Sequence, residues 1–425
     1  MSIVMFAVMI VLIFTGAPIF VAMGMACVIF ILSNDSVSMV GIASHLFSGA
    51  NSFTILAVPF YLLTGEIMNS GGITRRIMDL AQETVGWIRG GLAHVNILSS
   101  TIMAGMSGSA SADAATTSVL LIPEMERNGY PKPFAAAVTA CSAVIGPVIP
   151  PSINMLIYAS VASVSVGKMF IAGVLPGVII CIYEMVFTYF ISKKRGYGDI
   201  RKFSPKGFWK ALKRGFLPLL TPIIIMGGIL FGWYTPTEAA VAAALYALML
   251  SLAYGEMRFR DIPNVILRAV SLTATTVLIV SASNAMGWIA ALDSLPQKIL
   301  ALFINNIQSP AAVMVILMAF YLLIGLIMDG VAITLLTVPM VMPLISGYGI
   351  NPIYFGVVMV IALMIGQITP PVGMVMYITT SITKVSLGSF MKEAWPYLVA
   401  LLLAMITMAL FPDAVLWLPN LVYGA

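Results

Sequence analysis

Apolar residues fill the chain in long continuous runs. Runs such as 3–32, 216–233, 236–254 and 390–411 reach or approach the ~20 residues that carry a helix across ~30 Å of hydrocarbon. The first run is too long for a secretory signal peptide, begins without basic residues and precedes no small-residue cleavage site. The pattern predicts an all-α polytopic membrane protein.

Composition and charge agree with this prediction. Hydrophobic residues make up 60% of the chain and charged residues only 9%, which excludes a set of soluble domains. Nine of the 21 Lys and Arg residues lie in the segment 193–214. The positive-inside rule explains this cluster far better than a nucleic-acid surface does, and it places the segment in the cytoplasm. We therefore expect the lipid bilayer, and no nucleic acid, as a partner.

Two segments of the chain repeat each other. Residues 120–151 and 340–371 align without a gap at an offset of 220 residues, and each ends in a diproline. Shared glycines and prolines weigh more than shared Leu or Val, which any membrane protein supplies. Such repeats, interrupted by Gly and Pro in corresponding places, indicate a secondary transporter. The matched positions are Pro123 and Pro343, Gly129 and Gly349, Gly146 and Gly366, and Pro150-Pro151 and Pro370-Pro371.

The distribution of charge favours an inverted arrangement of the two halves. Segments 74–91 and 124–132 carry five Lys and Arg residues, whereas their counterparts 293–310 and 345–352 carry one Lys and no Arg. If the first two segments are cytoplasmic and the other two face outward, the basic segment 193–214 also lies in the cytoplasm. We therefore predict two inverted repeats.

Each half contains an apolar stretch that small residues interrupt before it can cross the bilayer. Residues 92–106 would form ~22 Å of helix, less than the ~30 Å required, and residues 110–122 are fewer still. Residues 107–109 are thus predicted to be the tip of a re-entrant hairpin that is buried against another backbone. The second hairpin is predicted at 311–343, with its tip at 328–330.

Each diproline is predicted to break a helix near the middle of the membrane, although a simple kink is the alternative for either one alone. Proline lacks an N–H and disfavours a helical residue before it. A break exposes carbonyl oxygens, which suit Na⁺, and N–H groups, which suit an anion. The predicted first Na⁺ site comprises Ser107, Ser109, Gly146, Ile149 and Pro151, and the second comprises Gly325, Asp329, Gly366, Thr369 and Pro371.

Asp329 is a carboxylate at the predicted tip of the second hairpin. A charge at this depth costs ~2.5–3.5 kcal/mol on insertion scales, so we expect it to have a function or a partner. It caps the following helix, binds substrate or Na⁺, or does both. No Arg lies at hairpin depth, so an anionic substrate group would be held by helix N-termini and polar side chains. The predicted substrate-binding residues are Ser109, Ser152, Asn154 and Asp329.

Proteolysis and channel activity are the two alternatives to transport. Residues 105–108 read GMSG, the GxSG of intramembrane serine proteases, but His94 lies thirteen residues before Ser107 on the same short helix. That spacing puts the base roughly 20 Å away, beyond hydrogen-bond reach. No HExxH or Walker motif is present, and we predict that the chain is not an enzyme. A channel stays open as an alternative, because re-entrant hairpins also line pores.

The sequence resembles the large membrane subunit of tripartite ATP-independent periplasmic (TRAP) transporters over nearly its whole length. The segments that carry the resemblance are AGMSGSASADAATTSVLLIPEMERNGYPKPFAAAV, GPVIPPSINMLIYASVASVSVGKMFIAGVLPG, YTPTEAAV and GQITPPVGMVMY. The resemblance implies a secondary transporter of the bacterial inner membrane that takes up an organic acid with Na⁺ and uses no organic cofactor. Sialic acid and C4-dicarboxylates both stay open as substrates, with overall resemblance favouring sialic acid.

The resemblance also implies partners and a mechanism. It implies a small four-helix membrane subunit and a periplasmic binding protein that delivers the substrate. It implies an elevator mechanism, in which the hairpins and broken helices move as a block against a scaffold. On the family pattern, Ser107 and Ser109 belong to a cation site, whereas the second tip reads MDG instead of SGS.

The chain is predicted to comprise six regions. Scaffold helices and an arm open each half, the transport region follows, and a further helix closes the half. The regions are 1–91 (first scaffold helices and arm), 92–165 (first hairpin and broken helix), 166–215 (return helix and basic linker), 216–310 (second scaffold helices and arm), 311–385 (second hairpin and broken helix) and 386–425 (C-terminal helix and tail).

Overall fold

The structure is a computed structural model that describes residues 2–33, 39–51, 55–198 and 202–424. Every regular element in these ranges is a helix, which confirms the all-α prediction. Asp199 and Arg201, within the predicted basic linker, lie outside the described residues.

The helices of the first half include α6 and α7, which are joined by a turn at Gly108 and Ser109 and contact each other. A 3₁₀ turn at Ala143–Ile145 extends α9 toward the first diproline. The helices are α1 (Ser2–Phe14), α2 (Ile19–Leu32), α3 (Met39–Ala50), α4 (Ala57–Ser70), α5 (Ile73–Val85), α6 (Gly91–Ser107), α7 (Ala110–Leu120), α8 (Ile122–Arg127), α9 (Lys132–Ser142), α10 (Ile153–Val161) and α11 (Val166–Arg195).

Several helices of the second half begin with a polar cap followed by proline. At α13, Thr235 and Glu238 form a capping box, in which the Thr235 amide donates to Glu238 Oε2 at 2.7 Å. The helices are α12 (Pro205–Leu230), α13 (Pro236–Ala253), α14 (Ile262–Leu292), α15 (Leu295–Asn306), α16 (Pro310–Gly325), α17 (Gly330–Gly347), α18 (Pro352–Gln367), α19 (Met374–Thr383), α20 (Leu387–Leu410) and α21 (Asp413–Tyr423).

Six helices of the described chain are long and apolar enough to cross a membrane: α11, α12, α13, α14 with its preceding 3₁₀ turn, α17 and α20. The others are shorter. The pair α6 and α7 has 17 and 11 residues, or about 25 Å and 16 Å at the helical rise, so neither crosses ~30 Å of hydrocarbon. The two short helices expected for the first hairpin are therefore present, and its re-entry into the membrane stays a prediction.

The second hairpin differs from its prediction in its second arm, which is one of the helices long enough to cross a membrane. Its second arm, expected to end at Pro343, continues as α17 to Gly347 with Pro339 and Pro343 inside the helix. A proline within a helix removes a hydrogen bond and bends the chain. The full burial of Leu344 and Ile345 offsets that loss, because these side chains pack into the core beyond the proline.

The two broken helices lie at the centre of the molecule and join its halves. Helix α10 of the first half packs on α17 of the second, and α19 of the second half packs on α7 of the first. Helices α9 and α18, which lead into the two breaks, are buried along almost their whole length. Each broken helix thus contacts the hairpin of the opposite half.

Candidate functional site

The first hairpin turns at a glycine in the left-handed backbone region. Gly108 has φ +60°, and its amide donates to the Ala104 carbonyl at 3.3 Å. A Cβ at this position would be strained and would collide with the Pro151 carbonyl oxygen. Only glycine lets the tip turn and approach the diproline this closely.

Main-chain contacts join this tip to the first break. The Ile153 amide donates to the Gly108 carbonyl at 3.4 Å. On the other side of the tip, a Cβ on Gly146 would lie 3.4 Å from both the Ala110 nitrogen and the Ser109 carbonyl carbon. The prediction that the small-residue run meets another backbone is therefore confirmed.

The hydroxyls of Ser107 and Ser109 have different surroundings. Ser109 caps α7, accepting from the Ala112 amide at 3.4 Å, and its oxygen lies 3.1 Å from that of Ser111. Ser107 Oγ is buried and has no hydrogen-bond partner within the described chain. A buried unsatisfied oxygen calls for a ligand or an explanation. The Ser107 side chain lies against Gly65 of α4, and the Pro151 carbonyl lies against the next residue, Gly108. Hydroxyl and carbonyl oxygens are groups that suit an oxygen-coordinated cation such as Na⁺.

Ile149 and Pro151 belong to the break itself, between the 3₁₀ turn and α10. The Ile149 side chain packs closely against Gly177 of α11, so only its main-chain oxygen remains for a cation. The Pro150-Pro151 peptide bond is cis. Of the residues predicted for the first site, Gly146 and Pro151 therefore lie against the tip through main chain, whereas the contact shown for Ile149 is with α11.

The second hairpin also meets its own break through main-chain atoms. A Cβ on Gly366 would lie 2.7 Å from the Gly325 carbonyl carbon, so α16 and α18 touch at two glycines. The Leu326 carbonyl accepts from the amides of Val372 and Gly373, both at 3.1 Å. The peptide bond of the second diproline, Pro370-Pro371, is cis as well.

The side chains predicted for the second site make local bonds. Thr369 Oγ1 donates to the Ile365 carbonyl at 2.9 Å. Asp329 Oδ2 accepts from the Val331 amide at 2.9 Å and caps α17, so the capping role expected from the sequence is confirmed. A role of Asp329 in binding stays a prediction. Among the described residues, no group of three His, Cys, Asp or Glu side chains could hold a metal ion.

The two halves meet at a buried pair of amide side chains, Asn154 and Gln367. Asn154 Nδ2 lies 3.9 Å from Met364 Sδ. A Cβ on Gly330, beside the second tip, would lie 2.8 Å from Asn154 Nδ2 and 3.1 Å from Gln367 Nε2. The predicted residue Asn154 is therefore close to the second hairpin. Sequence reasoning missed Gln367, although a lone amide in the otherwise apolar GQITPP segment was a usable signal.

Ser152, the remaining predicted substrate residue, is fully buried in the cap of α10. Its hydroxyl donates to the Pro147 carbonyl and accepts from the Met155 amide at 3.1 Å. The bonding capacity of this hydroxyl is therefore largely used inside the break. Its position explains how α10 restarts after the diproline.

Polar bonds hold the first hairpin to the first broken helix. Asn96 Nδ2 on α6 donates to Thr139 Oγ1 on α9 at 2.6 Å, and Ser142 Oγ donates to Asn96 Oδ1 at 3.2 Å. The Ser100 and Ser142 oxygens are 3.2 Å apart. All these residues are buried, so the bonds act in a poorly solvated region and join α6 and α9 as one unit.

The proposed base of a serine protease is far from the serine. His94 lies in the first turn of α6 and Ser107 is its last residue. Both ring nitrogens of His94 are buried without a hydrogen-bond partner within the described chain. Ser107 Oγ has no hydrogen-bond partner anywhere in the described chain, so no base is in place beside the serine of the GMSG motif.

Known proteins with similar sequences are membrane permeases. Residues 6–414 match the family described as "Tripartite ATP-independent periplasmic transporter, DctM component". The chain is 39% identical over 414 residues to the sialic acid TRAP transporter large permease protein SiaM of Vibrio cholerae, covering 97% of both chains. It is 36% identical to the C4-dicarboxylate TRAP transporter large permease protein DctM of Pseudomonas aeruginosa, covering 93% of this chain and 92% of the relative.

Other similar proteins include a permease named for a different substrate and a solved transporter structure with a similar fold. The chain is 35% identical to the 2,3-diketo-L-gulonate TRAP transporter large permease protein YiaN of Escherichia coli, covering 88% of both chains. Its fold is similar to that of the YdaH transporter of Alcanivorax borkumensis, with a TM-score of 0.65, 14% sequence identity, and coverage of 88% of this chain and 87% of that one.

Proposed function

Because this chain belongs to the DctM component of the tripartite ATP-independent periplasmic transporters, we propose that it takes up an organic acid together with Na⁺ across the bacterial inner membrane. The chain is a multi-pass membrane transporter and not an enzyme. The proposal adds the coupling ion, the substrate class and the mechanism to that family membership.

The observation that best supports Na⁺ coupling is the paired contact between hairpin tips and broken helices. At the first, the Gly108 backbone meets Pro151 and Ile153, beside the unpaired Ser107 hydroxyl. At the second, Gly325 and Gly366 touch. Main-chain oxygens at such breaks suit Na⁺, and a cation there would strengthen contacts that otherwise consist of packing and one or two main-chain hydrogen bonds. We assign the two Na⁺ sites to these contacts.

The substrate is proposed to bind where the two halves meet. Helices α10 and α17 begin beside each other, since Gly330 contacts the Asn154 side chain. Helix N-termini attract anions. The α17 terminus already carries the Asp329 carboxylate, whereas α10 is capped by the neutral Ser152. We therefore place the substrate carboxylate nearer to α10, within reach of Asn154 and Gln367.

The relatives named above act on sialic acid, C4-dicarboxylates and 2,3-diketo-L-gulonate, which are all carboxylic acids. We propose sialic acid as the first candidate, because SiaM is the relative with 39% identity over nearly the whole chain. The tripartite family implies two further partners, a small membrane subunit and a periplasmic binding protein.

We further propose that uptake occurs by an elevator motion. The hairpins and broken helices would move as one block, which the buried Asn96, Thr139 and Ser142 bonds help to hold together. The cross-contacts of α10 with α17 and of α19 with α7 would carry both halves in the same motion.

Proteoliposomes test the proposal. The chain is reconstituted with its small membrane subunit, and labelled sialic acid or succinate is offered with a matching periplasmic binding protein. We expect concentrative uptake only under an inward Na⁺ gradient, and none from this chain alone. A channel would let the acid equilibrate without Na⁺ and without the binding protein, and that result would contradict the proposal.

A further inference from the structure

A polar cavity lies between α5, α12 and the residues that follow α13, and none of the residues predicted for the Na⁺ and substrate sites lines it. Its volume is about 440 Å³. Helices α5 and α12 approach closely beside it, because a Cβ on Gly215 would lie only 3.3 Å from Leu80 Cδ2 and 3.6 Å from the Arg76 carbonyl. The cavity is lined by Arg75, Arg76, Asp79, Lys213, Arg214, Leu217, Tyr254 and Glu256.

The cavity has an excess of positive charge. Four basic side chains face two carboxylates. Arg76 is already engaged, because its guanidinium lies 3.6 Å from Glu256 Oε1 and 3.7 Å above the Tyr254 ring. Arg75, Lys213 and Arg214 are exposed and form no ion pair within the described chain. In the part of the chain that the structure describes, three cations and the Asp79 carboxylate therefore remain without an ion pair, which leaves an excess of positive charge for an anion.

Exposed aromatic and apolar side chains indicate the depth of the cavity in a membrane. Trp87 is 43% exposed and its ring lies 6.2 Å from that of Phe203, and Trp209 on α12 is 61% exposed. Such rings are typical of the headgroup level of a bilayer. At the apolar side of the cavity, its lining residue Leu217 of α12 is 43% exposed, and Met249 of α13 is 63% exposed. The hydrocarbon layer would begin there.

We propose that this cavity binds the headgroup of an anionic phospholipid. The phosphate would accept charge-assisted bonds from Arg75, Lys213 and Arg214, as basic pockets between membrane helices do. The acyl chains would lie against the exposed apolar side chains of α12 and α13. The middle parts of these helices are linked by the Tyr246 hydroxyl, which donates to the Leu217 carbonyl at 2.8 Å. This inference rests on the membrane placement of α12 and α13 and is independent of the transported substrate.

Such a lipid would link the short helix α5 to the membrane-spanning helix α12. Both helices contribute cations to the cavity, and they would otherwise repel each other there. An anionic headgroup between them removes this repulsion and stabilises the contact at Gly215. Free phosphate shares the charge of the headgroup but lacks the acyl chains, so the two ligands can be distinguished by experiment.

The test uses the full chain purified in neutral detergent, and measures lipid binding by native mass spectrometry and thermal unfolding. Phosphatidylglycerol, phosphatidylcholine and inorganic phosphate are added in separate titrations. The test variant is Lys213→Gln with Arg214→Gln. The matched control is Lys206→Gln with Lys210→Gln, which removes the same charge from exposed positions of the same helix outside the cavity.

We expect phosphatidylglycerol to stabilise the wild type, and the cavity variant to bind it at least about tenfold more weakly, since one basic residue near a membrane is worth on the order of fivefold. The control should retain wild-type affinity. Equal weakening in both variants, or equal binding of phosphatidylcholine, would overturn the proposal. Stabilisation by inorganic phosphate alone would show a soluble-anion site instead. If the double variant does not fold, Arg75→Gln provides the same comparison from α5.

Discussion

One side chain at the second hairpin tip can be assigned two separable roles. Asp329 accepts from the Val331 amide and caps α17. Replacement of a capping Asp by Ala costs about 1 kcal/mol, whereas Asn caps nearly as well as Asp. Substitution by Asn therefore removes the charge and keeps the cap, and substitution by Ala removes both.

We predict that Asp329→Asn lowers Na⁺-driven uptake about tenfold, which corresponds to the loss of a charge-assisted interaction of ~1.4 kcal/mol. Its thermal stability should stay near that of the wild type. Asp329→Ala should lose uptake and also unfold at a lower temperature. The measurements are initial uptake rates in proteoliposomes and thermal unfolding in detergent. Wild-type uptake by Asp329→Asn would mean that the carboxylate serves only as a cap.

The contact between a hairpin and a broken helix depends on glycines that admit no side chain. Two glycines with positive φ allow the effect of close approach to be separated from that of backbone strain. Gly108 meets the Pro151 carbonyl, whereas Gly129, in the turn before α9, has φ +81° and no atom within 4 Å of an added Cβ. Alanine at either position adopts an unfavourable left-handed backbone.

We predict that Gly108→Ala abolishes the stabilisation of the chain by Na⁺, because the added methyl group pushes the tip away from the break. Gly129→Ala should lose about 1 kcal/mol of stability and retain its Na⁺ response. Thermal unfolding is measured across a Na⁺ titration with choline chloride replacing the salt. If Gly108→Ala responds to Na⁺ as the wild type does, the first tip does not belong to a cation site.

The halves of the molecule interlock, and their relative orientation in the membrane is the main prediction for the whole chain. Charge alone suggests that residues 124–132 are cytoplasmic and that their counterparts 345–352 face outward. Asn128 and Ser346 are exposed members of these two segments. The native cysteines Cys27, Cys141 and Cys181 are buried, so a new cysteine at an exposed position gives a distinct signal.

We predict that a membrane-impermeant maleimide added from the periplasmic side labels Ser346→Cys and not Asn128→Cys. Both should be labelled after the membrane is permeabilised, which controls for their reactivity. The readout is the mass shift of the purified protein, with the wild type as background. Labelling of both positions from one side would contradict an inverted repeat.

Much of the architecture followed from local patterns. Long apolar runs predicted the all-α membrane fold, because a bilayer requires internally satisfied backbone over a known thickness. The short apolar stretches around residues 107–109 predicted a hairpin for the same reason. The diprolines predicted two breaks, since proline acts on its own turn of helix. These effects depend on neighbours in sequence and can be read without a structure.

Other features depended on contacts between distant parts of the chain. Asn154 and Met364 are 210 residues apart, and only packing of the two halves brings Asn154, Gln367 and Gly330 together. The structure also shows that Ser152 is the N-cap of α10 and that α17 continues past Pro343, where side-chain burial offsets the hydrogen bond that the proline removes. A residue's local pattern shows that it is polar or bends the chain, but its partners are set by side chains on other helices. The shared centre of the two halves could therefore be recognised only when the helices had been assembled.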